Sequence, residues 1–165
     1  MRHDHLFAFE SDFVATLRCV PMAVRFKLDR VEIKLTLRQW SRFTPADRRI
    51  LLTTPCATAE DADIWRCMLI ALIAARAGEE PRILADPPAP LWELSATPEA
   101  VTRFAGSLGA PPPSDRAWTA LAPLQRYVLL KLTRDSHDNV NFLPAMAEFG
   151  LAVPAGDGLA SFSFV

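Results

Sequence analysis

The chain has 165 residues, half of them hydrophobic and 22% charged, with a formal net charge of −1. That length suits one domain that folds without metal or disulfide, and the near-zero charge argues against nucleic acid or a membrane surface as the partner. The longest strictly apolar run, 67–75, falls far short of the ~20 residues that span a bilayer; Met1-Arg2-His3-Asp4-His5 is too polar to start a signal peptide, and three cysteines without framework spacing fit a reducing, cytoplasmic compartment.

Val20, Val24, Leu28, Val31 and Leu35 recur at helical spacing, and Pro21 suits a first helical turn, so a helix is expected to about Asp29. From Val31 to Leu37 the pattern alternates, which predicts a short extended link. Thr36 can cap a short helix through Trp40 to Phe43. Thr44-Pro45 caps the next, which stops before Pro55. Thr58 and Asp61 approximate a capping box opening a helix to Ala77, with Gly78 as its terminator. That helix carries one charge between Ile64 and Ala75, at Arg66, so it is expected in the middle of the fold.

Residues 79–94 hold four prolines and no periodicity, and are read as a surface connection. Thr97-Pro98 repeats the cap-proline start for a helix ending at Gly109. Pro111-Pro112-Pro113 is a stiff spacer. Ser114 caps a long helix to about Leu132, interrupted or kinked at Pro123. A last helix spans about Leu143 to Phe149, and the tail 161–165 alternates. The expected fold is all-α: a compact single-domain bundle of about six helices, with flexible or loosely packed ends at 1–6 and 155–165.

Charge is uneven along the chain. Residues 1–56 hold ten Lys/Arg against six Asp/Glu, a net +4, and residues 57–109 hold four against eight, a net −4. The segments either neutralise each other in the fold or leave a basic face for an acidic partner or an anion.

Residues with chemical potential are few. No cysteine pair has CxxC spacing, and no metal site is expected. Cys67 is read as a core residue and Cys56 as a loop residue. Cys19, beside Arg18 and near Arg25, is either a small packing residue or a thiol activated by positive charge. His3, third from the amino group, can hold Cu(II) or is incidental to a loose terminus. His137 sits among turn formers in 134–141, as a loop base or as a partner of backbone carbonyls. Gln125 lies on the stripe of Trp118, Leu121, Val128 and Leu132. There it either ties the following loop, with that loop's asparagines, to the first helix or joins Arg126, Lys131, His137 and Asn141 in a polar pocket for an anion or carboxylate.

Two blocks resemble the nitrate reductase associated proteins: Leu17-Arg18-Cys19-Val20-Pro21-Met22 with Val24-Arg25, Lys27-Leu28-Asp29, Ile33-Lys34-Leu35 and Trp40; and Trp118, Leu121, Leu124-Gln125-Arg126-Tyr127, Lys131-Leu132, His137, Asn141-Phe142-Leu143-Pro144-Ala145 and Glu148-Phe149-Gly150. Arg30-Val31-Glu32 departs from that pattern, which carries a glycine nearer Ile33. The resemblance implies a cytoplasmic bacterial accessory or maturation factor that associates with assimilatory nitrate reductase. It does not imply nitrate reduction by this chain, and it carries over no catalytic residue and no cofactor. The candidate docking residues are Arg18, Arg25, Lys27, Lys34, Gln125, Arg126, Lys131, His137 and Asn141, expected to meet in one patch. The alternative is a small-anion or cofactor pocket using Arg25, Lys27, Gln125, Arg126 and Lys131. Catalysis by Cys19 or His137 is a further alternative.

Overall fold

A computed structural model describes residues 6–10, 17–87, 89–134 and 140–154. They form eight α-helices and one two-stranded sheet, and divide into two compact units, residues 1–90 and 91–165. Each unit is built around its own tryptophans.

In the first unit, a 3-10 turn at Ala8–Glu10 leads to α1 (Met22–Arg30), β1 (Ile33–Lys34), α2 (Leu37–Arg42), α3 (Pro45–Thr53), α4 (Ala59–Ala77) and β2 (Arg82–Ile83). Three threonines start helices as expected. Thr36, Thr44 and Thr58 each accept from the backbone N–H three residues on, and the side chains of Gln39, Asp47 and Asp61 return the bond. Gly78 ends α4 in the left-handed conformation, φ +66°. The start of α1 has no such local cap. Its Met22 N–H donates to Oε1 of buried Glu10, twelve residues back, at 2.8 Å. A carboxylate there answers both an orphan donor and the positive helix end.

β1 pairs antiparallel with β2, Ile33 opposite Ile83. The extended link was legible; its partner strand, inside the proline-rich connection, was not. Trp40, Leu51, Trp65, Leu69 and Ile73 are fully buried, and Trp65 Nε1 donates to Leu51 O at 3.0 Å.

The expectation for α4 needs correction. Only Trp65, Leu69 and Ile73 are buried, a stripe spaced by four. Ile64, Cys67, Ala71, Ala74 and Ala75 face solvent, Ile64 with 56% of its surface exposed. The helix lies against α2 and α3 on one side. A low count of charges therefore marked an uncharged outer face, and Cys67 is a surface thiol.

In the second unit, a 3-10 turn at Leu91–Glu93 precedes α5 (Glu99–Ser107), α6 (Asp115–Ala120), α7 (Pro123–Leu132) and α8 (Phe142–Glu148). The expected long helix is divided: Leu121 and Ala122 are extended and Pro123 opens α7, where its missing N–H costs nothing. Pro98, not Thr97, stands at the N-cap of α5. Thr97 instead donates its hydroxyl to Pro113 O and its N–H to Asp115. The core holds Trp118, Val128, Leu129, Leu132, Phe142 and Met146, with edge-on aromatic pairs Trp92–Tyr127 and Phe104–Phe142. The expectations for His3, His137, the alternating tail and the loose ends at 1–5 and 155–165 lie outside the described residues.

Candidate functional site

Lys27 sits on α1 with 8% of its surface exposed. Its ammonium donates to Leu52 O at 2.6 Å, Thr54 O at 2.7 Å and Leu51 O at 3.2 Å. These carbonyls end α3, where a helix leaves four acceptors unsatisfied. A lysine has three donors, and here all three serve the fold. Burial draws its pKa down to about 8, against a smaller opposite effect from Cys56. As a candidate docking charge Lys27 is therefore corrected: it is an internal clasp between α1 and the end of α3.

Cys56 lies just beyond that clasp, in the expected loop, and is buried. Burial pushes its thiol pKa up, while Arg30 and Lys27 pull the other way. A thiol held protonated is a poor nucleophile. Cys19 is half-buried.

The remaining candidates of the first unit separate by exposure. Arg25 is half-buried, and its Nε donates to Val20 O at 3.0 Å. Arg18 and Lys34 are exposed. In the second unit, Gln125 accepts from Ala122 N–H at 2.9 Å, securing the first turn of α7 and not the loop that follows it. Its place on a core stripe dissolves because the helix breaks before it. Lys131 lies 5.3 Å from the Tyr127 ring centre. Arg126 Nη1 lies 3.5 Å from Leu94 O, which accepts a shorter bond, 2.9 Å, from Trp118 Nε1. Asn141 begins α8 without a side-chain cap.

Sequence reasoning passed over Arg38, Arg42, Arg48 and Arg49. Arg48 gathers the chain: its guanidinium donates to Leu17 O, Trp40 O and Ser41 O, each at 3.1 Å, and stacks over the Trp40 ring at 5.6 Å. Leu17 O also accepts from Trp40 Nε1 at 2.8 Å. The available signal was charge spacing: between Glu32 and Glu60 the one acid is Asp47, against five basic residues. Asp47 is itself held by Arg76, at 2.8 and 3.2 Å, which keeps its carboxyl down at about 2.

The chain is thus a small, mainly helical protein in which Lys27, Glu10 and Arg48 serve as caps and clasps within the first unit, where Arg18, Arg38, Arg42 and Arg49 are exposed. It belongs to the conserved nitrate reductase-associated protein family, whose model matches residues 6–149. No curated protein and no solved structure matches it. No described helix is long and apolar enough to cross a membrane.

Proposed function

We propose that the chain is a cytoplasmic accessory factor of bacterial assimilatory nitrate reductase, acting by protein–protein association while the reductase is brought to its active form. The observation that carries this reading is the family match over 144 of 165 residues, counted from 6 through 149. Its name associates these proteins with nitrate reductase. The site chemistry supports association over a small-anion pocket: Lys27 directs its three donors and Arg25 its Nε to backbone carbonyls, and Gln125 accepts from its own helix start. Arg18 and Lys34, by contrast, are exposed.

The test is a pull-down of cofactor-free nitrate reductase with the purified chain, paired with reductase activity in a deletion strain. Recovery of the reductase and loss of its activity on deletion are expected. An empty pull-down with full activity in the deletion strain overturns the proposal.

A further inference from the structure

Arg18, Arg42 and Arg49 are exposed, and each is one residue along the chain from a group joined at Arg48: Leu17 and Ser41 through their carbonyls, and Arg48 itself. Arg38 precedes Arg42 by four on α2, so the two share a face. Among the described residues no ion pair neutralises any of these four. The neighbouring acid, Asp47, is taken by Arg76. Apolar side chains stand beside them in the sequence and in the open: Leu37 is 66% exposed and Ile50 48% exposed.

The same place is strained. Leu17 adopts φ +50°, a left-handed conformation costly for a residue with a branched side chain. Two donors on its carbonyl, from Trp40 and Arg48, hold it there and so fix the backbone that presents Arg18. Arg48 is the organiser and its neighbours are the free charges.

From this arrangement we infer that the arginine cluster around Arg48, formed by Arg18, Arg38, Arg42 and Arg49, is the docking surface for a protein partner that presents clustered carboxylates. Guanidinium groups pair with carboxylates in a planar two-bond geometry. The exposed Leu37 and Ile50 beside them suit a protein surface; a simple anion has no use for them. The inference rests on the association proposed above and names the surface that performs it.

The experiment measures dissociation constants for purified cofactor-free nitrate reductase with the full chain, at low salt and at about 0.3 M salt, where exposed charges are screened within a few ångströms. The variant is the triple R18Q/R42Q/R49Q, with Arg48 retained. A second triple, R82Q/R103Q/R116Q, removes the same charge elsewhere. The cluster variant is expected to bind about tenfold or more weakly and to lose most of its salt dependence, with the second triple within about twofold of wild type. Equal binding by both triples overturns the surface and leaves the association standing. Absence of wild-type binding overturns both, as does wild-type binding to RNA through these arginines in place of the reductase. Circular dichroism checks folding; if the triple unfolds, the singles R42E and R49E give the same reading.

Discussion

Two residues show how position decides what a charge does. Lys27 and Lys34 lie seven apart near the start of the chain; the first is buried on three carbonyls and the second is in water. Lys27→Met removes all three bonds and leaves carbonyls of α3 without their donor, so it is expected to cost about 2–3 kcal/mol in urea denaturation at pH 7. Because the folded pKa, about 8, lies below the ordinary 10.5, the unfolded chain binds more protons between those values. Lys27 thus adds stability as pH rises from 8 towards 10.5, and the gap between wild type and K27M widens over that window. The Cys56 thiol, with its raised pKa, acts in the opposite sense in both proteins; K27M loses the lowering pull of Lys27 on it, so the variant loses more stability above pH 9.0 and the gap widens in the same direction. An unchanged or shrinking gap refutes the assignment.

Asp47 has the same sign at the acid end of the scale. Its folded pKa, about 2, lies below the ordinary 3.8, chiefly because Arg76 bonds it. That stability is present above pH 4 and is lost as pH falls towards 2. The half-exposed Arg76 is screened by water, so the amount is about 1 kcal/mol. Thermal unfolding of D47N should show a flatter acid limb than wild type.

Glu32 offers a gain instead of a loss. It holds φ +57° in the turn after α1, the conformation in which glycine carries no side-chain clash. Glu32→Gly is expected to raise stability by about 0.5–1 kcal/mol, read as a higher Tm.

At the scale of elements, α4 has two faces that composition does not distinguish. Leu69 is fully buried and Ile64 is 56% exposed, five residues apart on one helix. Leu69→Ala is expected to cost about 2–4 kcal/mol and Ile64→Ala under about 0.5 kcal/mol. Comparable losses at both positions contradict the burial of this helix. The helix starts are the opposite case. Thr44 and Thr58 cap α3 and α4 through atoms three residues away, and replacing either by alanine should cost about 1 kcal/mol.

At the scale of the molecule, the net charge of −1 hides a local excess. The run from 33 to 59 holds five basic residues, and its one acid is paired with Arg76. Association driven by that run should weaken with salt although the chain as a whole is slightly acidic. What the amino-acid sequence determined by itself is the mainly helical class, the family, and the helix ends set by Thr36, Thr44, Thr58, Gly78 and Pro123. Caps and proline breaks act over three or four residues, so the chain carries them wherever it goes. Contacts 12 to 40 residues apart in the chain were decided by tertiary structure alone: Glu10 on α1, Lys27 on α3, Gln39 with Glu79, and Leu17 under Trp40 and Arg48. The same is true of the outward turn of Cys67 and of the bonds by which Arg48 joins Leu17, Trp40 and Ser41. Burial depends on which face another element covers, and no local pattern records that.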